Sequence, residues 1–368
     1  MNKKRVCLSV LFLLLSMGVH AQKAQLVRSL TRPWARGGIA RSLEVGNYHL
    51  TIPNIARKVA GTDLIHDYFL YSHIDAQHYP KLATQNDIQT FRAFQNFTEH
   101  AKQFQHEFPQ IAAQVQTEVV NGQVDYSRLI PQDPGIIYLG EVHYVESVQR
   151  EVVSFVRQLA NTNPQKPIIV ATEFLSYNPA LSLPENLIAS AEDYSSYFDK
   201  GNLAANVDVL TKMLSLPNVY LIGLENDEVL HRILKRSDGK LTVEEYGEFM
   251  QTNIGMNLRN HLWARTLTRL QKIAPEAQIV AYGGIAHFSL HEENAVPSLV
   301  PGKHFVIQLS TLEGLPYNNP LTASLSISEP SLHMFEKNPS SKIVAGWKSP
   351  FPDYRHLLGN DLSIIVHE

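Results

Sequence analysis

Gly135-Ile136-Ile137-Tyr138-Leu139-Gly140-Glu141-Val142-His143 is the stretch whose reading decides the fold. Ile136 to Leu139 is apolar without alternation, the pattern of a strand covered on both faces, as strands of parallel sheets are. An amphipathic helix follows at once, from Val145 to Leu159, with Val148, Val152, Phe155, Val156 and Leu159 on one face. Further apolar runs repeat the unit: Pro167 to Thr172, Val219 to Leu224, Gln278 to Tyr282 and His304 to Leu309, with helical stretches between them that include a long one from Thr242 to Ile273. Strands alternating with helices of this length predict an α/β fold, a mostly parallel sheet with helices on both faces. Leu362 to Val366 reads as a last strand at an edge of the sheet, and Ser176 to Leu203, rich in prolines, acids and tyrosines, as an insertion or lid.

Upstream of Pro134 the pattern differs. Lys3, Lys4 and Arg5 precede an apolar run from Val6 to Val19, and Ala21 ends a small-residue cleavage pattern. The run is too short to span a bilayer comfortably, so residues 1–21 are expected to be a signal peptide and the mature chain to begin at Gln22, without a transmembrane segment, in the periplasm or outside the cell. Cys7, the only cysteine, would leave with the signal, and with it any disulfide, thiol nucleophile or thiolate ligand. Loss of Lys3, Lys4 and Arg5 leaves 29 basic against 35 acidic residues and moves the formal charge from −3 to −6. With no basic stripe, nucleic acid is not an expected partner. Residues 22–133 read as an N-terminal segment and helical lobe, because Phe91, Phe94, Phe97, Ala101, Phe104 and Phe108 recur at spacings of three and four between Asp87 and Val115. Residues 134–368 form the expected α/β domain.

Ligands of open parallel sheets bind beyond the carboxyl ends of the strands, so the residues there are the candidates for chemistry. Glu141 and His143 follow the first strand, Glu173 the second, Glu225 and Asp227 the third, and Gly283-Gly284-Ile285-Ala286-His287 the fourth. The glycines before the histidines are expected to let the backbone turn tightly. Taken singly, each acid could cap a helix and each histidine could be a half-buried polar residue. Two glutamates and two histidines brought to one sheet edge instead point to a site. Imidazole with carboxylate suits a divalent metal held by His143 and His287 with Glu141, or else Glu173, as the carboxylate ligand and the remaining glutamate as general base, or a metal-free centre in which His143 is the base and a glutamate orients it. Both histidines should lie in loops, where truncation costs little stability. The Gly-x-Ser-x-Gly elbow of serine esterases, the two-histidine helix of zinc proteases and the phosphate-binding loop are all absent from the sequence. His66 to Tyr79, rich in histidine and tyrosine, is a polar loop that could also offer haem ligands.

Leu139-Gly140-Glu141-Val142-His143, then Glu173, then Gly284-Ile285-Ala286-His287 resemble the pattern shared by ChaN-type haem-binding lipoproteins, erythromycin-esterase-like hydrolases and the Tiki/TraB proteases. Both histidines sit in Gly-x-x-His elements, and the resemblance runs from Gly135 to Leu309. It implies an α/β fold with these residues lining a cleft. Arg259, in Asn257-Leu258-Arg259-Asn260-His261, resembles an arginine that such proteins carry on the long helix before the second histidine, where it would hold an anionic group of the substrate. Erythromycin esterases place two residues between Glu and His where this chain has Val142 alone, so the Gly-Glu-x-His spacing is nearest the ChaN branch. ChaN-type proteins carry a lipid anchor, and this chain has no cysteine placed for one. Two functions follow as expectations: a metal-dependent hydrolase of peptide or ester bonds, acting on a small-molecule or peptide substrate, or a haem-binding protein without turnover.

Overall fold

The computed structural model describes residues 113–143, 145–178, 181–190, 192–194, 206–225, 253–290, 294–311, 329–348, 355 and 359–368. The expected signal segment, the His66–Tyr79 stretch and nearly all of the expected N-terminal lobe lie outside the described residues, as does much of the expected lid. The chain divides into two units, Met1–Arg92 with Val229–Met256, and Ala93–Glu228 with Asn257–Glu368. Apart from residues 253–256, every described residue belongs to the second.

That unit is an α/β structure around an eight-stranded sheet. In chain order it runs β1 (Val115–Asn121), α1 (Tyr126–Leu129), β2 (Ile136–Glu141), α2 (Glu146–Thr162), β3 (Ile168–Ser176), α3 (Leu183–Asn186), α4 (Val207–Leu214) and β4 (Val219–Glu225). After residues outside the description come α5 (Asn253–Ile273), β5 (Gln278–Gly284), a 3-10 turn (Ile285–His287), α6 (Val296–Leu299), β6 (His304–Thr311), α7 (Glu329–Lys337), β7 (Ser341–Trp347) and β8 (Leu362–Val366). The strand order is β1-β7-β8-β6-β2-β5-β3-β4. The pairs from β8 to β4 are parallel, and β7 joins both β1 and β8 antiparallel.

Gly135 opens β2 with a φ of 68°. A Cβ there would stand 1.9 Å from the Lys303 carbonyl oxygen. Glycine alone lets the Ile136 N–H donate to that oxygen, at 3.2 Å, and start the pairing with β6. Every residue of β2 is buried, as its unbroken apolar run requires. Ile137 and Leu139 share one core with Val148, Val152, Phe155 and Val156 of α2 and with Val209, Leu210 and Met213 of α4. Each such side chain removed from water contributes about 1.5–3 kcal/mol. Tyr138, of the opposite parity, meets Phe288 with ring centroids 5.3 Å apart, and Phe288 meets Trp263 of α5 at 6.1 Å.

Two strands depart from the sequence reading. β8 was expected at an edge; it lies inside the sheet, between β6 and β7, with all five residues buried. The reason is β7, Ser341-Lys342-Ile343-Val344-Ala345-Gly346-Trp347, whose lysine and glycine obscure its strand character in the sequence. Together β7 and β1 extend the sheet past β8. The sheet therefore also takes in residues 115–121, upstream of Pro134. At the other end, Ile188 caps the outermost strand β4 through one antiparallel bridge to Leu221.

Candidate active site

Strand register builds the site. The β2–β5 pairing sets Gly140 beside Gly283 and Glu141 beside Gly284. The β3–β5 pairing sets Thr172 beside Tyr282, which brings Glu173 next to Gly283. Glu173 does not follow β3, as the sequence reading had it. It lies within the strand, where pairing with β4 shifts register between Thr172 and Ser176. Glu141 ends β2 and His143 stands in the turn beyond.

The glycines at these ends do a different task from the expected turn. Gly284 has φ −65° and ψ 136°, a conformation open to any residue. What it provides is room. A Cβ on Gly284 would stand 2.7 Å from His143 Nε2, and one on Gly283 would stand 2.5 Å from Glu173 Oε2. Absent side chains let an imidazole and a carboxylate press onto the backbone of β5.

His143 is held between two carboxylates. Its Nδ1 lies 3.2 Å from Glu141 Oε1 and its Nε2 lies 3.4 Å from Glu173 Oε1. The ring meets the edge of Phe174 at 5.4 Å, and 24% of the side chain faces solvent. Glu141, at 1% exposure, also accepts from the Tyr282 hydroxyl at 2.8 Å and from Asn206 Nδ2 at 3.3 Å. Glu173 accepts from the Gly284 N–H at 2.6 Å.

His287, at 3% exposure, comes from the 3-10 turn after β5. Its ring stacks on Trp263 at 4.0 Å, tilted by 32°. Nδ1 lies 2.6 Å from Asn260 Oδ1, and Nε2 lies 4.0 Å from Glu173 Oε2. One carboxylate thus links the two histidines. On the same α5, Arg259 donates from Nε to Glu225 Oε1 at 2.7 Å, with a second contact from the guanidinium to the same oxygen. It also lies 3.6 Å from Glu173 Oε1 and over the Trp263 ring at 5.2 Å.

The proton affinities diverge. Burial would raise Glu173, but the positive charges of His143, His287 and Arg259 outweigh it and hold the carboxyl below its usual range. Burial pushes Glu141 up, against the pull of His143 and Tyr282. Burial would lower His143, but the Glu173 charge and the hydrogen bonds to both carboxylates carry it up to about 10. Glu225 is pushed up by burial, against Arg259. Two neighbouring carboxyls are thus displaced in opposite directions around one imidazole, a divergence that can separate an acid from a base.

Glu141, His143, Glu173, His287 and Arg259 are therefore brought together, and Glu225 joins them through Arg259. Asp227 lies outside the described residues. Glu141 stands on the Nδ1 side of His143, whereas His287 approaches Glu173 on the other. Among the described residues, no three His, Cys, Asp or Glu side chains are grouped so that they could hold a metal ion as they stand.

The sequence reading did not single out Tyr282, Asn206, Asn260 or Trp263. Asn206 is the one non-glycine residue with positive φ among the described residues, at 52°. It precedes α4 yet its side chain does not cap that helix. Instead Oδ1 accepts from Gln149 and Nδ2 donates to Glu141, a local strain held by the site. Its only sequence signal is that asparagine tolerates this conformation.

The chain matches no family model, and no curated protein matches it. Among solved structures, that of the type III effector HopBA1 is similar over 47% of this chain and 76% of the other, with 16% identity and a TM-score of 0.31. A likeness of that extent carries no weight for fold or function.

Proposed function

We propose that this protein is an exported hydrolase of ester or peptide bonds, with the Glu141–His143–Glu173 relay as its acid–base centre. The observation that carries the reading is one partly exposed imidazole held at both nitrogens by a buried and a half-buried carboxylate of opposite proton affinity. Glu141 fixes the ring from behind. In the resting state the His143–Glu173 pair is a cation beside an anion. A water or substrate group entering between Nε2 and Glu173 Oε1 weakens that attraction, and His143 releases its Nε2 proton to bulk solvent, leaving a neutral ring that keeps Nδ1–H toward Glu141. The imidazole then takes a proton from the attacking water at Nε2 and returns it to the leaving group. Arg259 and His287 supply positive charge beside the carbonyl oxygen as it turns anionic. Export rests on the basic start, the apolar run and Ala21; among the described residues no helix is long and apolar enough to cross a membrane.

The geometry favours the metal-free form of this chemistry. Glu141, a ligand in the sequence reading, has its oxygens engaged by His143, Tyr282 and Asn206. Glu173 is engaged by the Gly284 N–H and flanked by Arg259. A divalent ion held by Glu141, His143 and His287 would have to break this set of partners, so the residues as arranged do not fit it and no step is assigned to one. The haem reading would draw on His66–Tyr79, outside the described residues.

The test is hydrolysis of a panel of aryl esters and unstructured peptides by purified chain starting at Gln22. Activity that survives chelation and falls roughly 10²–10⁴-fold in His143→Ala is the expected result, from the usual contribution of general acid–base catalysis. Activity abolished by EDTA and restored by zinc or manganese would overturn the metal-free form. A Soret band on haem titration with no hydrolysis would overturn the hydrolase.

A further inference from the structure

We infer that Asn260 is a positioning residue that fixes the tautomer of His287, so that the labile proton of this ring is always the one on Nε2, facing Glu173. The inference rests on the acid–base reading of the site and adds the device that sets its second histidine.

The chain of reasoning is one of donors and acceptors. Asn260, at 4% exposure, sits on α5 one residue after Arg259. Its amide lies between two partners. The backbone carbonyl of Asn294, 2.8 Å away, can only accept, so the atom facing it is the Nδ2 amino group. The opposite atom is then Oδ1, which also can only accept, and it lies 2.6 Å from His287 Nδ1. Nδ1 must therefore carry a hydrogen. The remaining nitrogen, Nε2, is the one turned toward Glu173 Oε2, 4.0 Å away. The Trp263 ring stacked on the imidazole prevents it from rotating to exchange the two nitrogens.

The two histidines of the site are thereby braced by different chemistry. His143 has a carboxylate at Nδ1, which favours the imidazolium electrostatically. His287 has a neutral amide there, which dictates where the proton sits without adding a charge. Arg259 and Asn260, adjacent on one helix, so hold the two partners of Glu173 on that side: Arg259 is one directly, and Asn260 orients the other.

The experiment is nitrogen-15 NMR of the histidine side chains in the full chain, with His287 assigned from a His287→Gln variant and the pH set where the ring is neutral. Wild type is expected to show the Nδ1–H form alone. Asn260→Ala is expected to mix the two tautomers and to lower kcat roughly 10–100-fold with KM little changed, the usual loss when a group orienting a site histidine is removed. Asn260→Asp, which keeps an acceptor at the same place, is expected to retain Nδ1–H and guards against a misfolded Ala variant. An Nε2–H form in wild type, or an unchanged tautomer in a folded Asn260→Ala, overturns the inference. The NMR arm needs no substrate, so a protein without hydrolytic activity would sink the functional reading and leave the tautomer result to stand or fall alone.

Discussion

His143 and Glu173 set the behaviour of the site with pH. Loss of the Glu173 charge removes the largest influence that raises His143. The proposed hydrolysis, which needs the neutral imidazole, should increase with pH through the titration of His143, raised to about 10. In Glu173→Gln the rising limb of kcat/KM should move to lower pH while the maximum rate drops; a limb that stays in place means that another group is the base. The two histidines also differ in what they hold up. His143 is partly exposed and leaves little void, so truncation to Ala should cost about 1–2 kcal/mol, mainly for the pairing lost by Glu141 and Glu173. His287 is not the loop residue expected from its sequence position. It is buried against Trp263 and satisfies Asn260, so His287→Ala should cost roughly 2–4 kcal/mol through a void and an orphaned acceptor. Urea melts of both variants check this, and equal midpoints would contradict it. Glu141, His143, Glu173 and His287 were legible as a group because each stands on or beside an apolar strand whose place in the fold is readable, whereas Arg259 entered through the family resemblance alone. Asn206 and Asn260 were not, since their partners lie 65 and 27 residues away and no local pattern marks such contacts.

At the strand ends, glycine decides what fits. A Cβ on Gly284 would meet the tip of a half-open His143 ring, which can swing outward. A Cβ on Gly140 would meet Ile285 Cα at 2.9 Å and Cδ1 at 2.5 Å, where backbone cannot yield. Gly284→Ala should therefore lose activity, on the order of 10²-fold for a displaced catalytic group, with a small change in melting. Gly140→Ala should melt lower by about 1–3 kcal/mol, the usual cost of overpacking. Activity assays beside urea melts separate the two, and a fully active Gly284→Ala would show that His143 does not act from its present position. The interior strands β2, β3, β5 and β6 were readable because burial on both faces demands an unbroken apolar run, and β4, though outermost, carries such a run as well. β7 was not, because Lys342 and Gly346 interrupt its apolar run. Lys342 in fact pairs with Glu151 of α2, which accepts from Tyr126 at 2.7 Å.

Across the whole sheet, β8 is the join between two wings. It pairs with β6 on one side and β7 on the other. Just before it, Asp361 accepts from the Val306 N–H at 2.8 Å and binds the Arg355 guanidinium. Deletion of residues 359–368 should thus abolish cooperative unfolding of the α/β unit, read by circular dichroism, rather than trim an end; a truncated chain with a wild-type melt would refute the role of β8. The same position in the sheet also bears on the order of manufacture. A ribosome emits β2 to β6 long before Leu362, and those strands wait with one side of β6 unpaired. The complete sheet cannot close before Leu362–Val366 has been made. Under the export proposed above, the chain would have to stay open until it had passed a translocation pore, and a sheet whose keystone follows its parallel strands would delay its own closure for that journey.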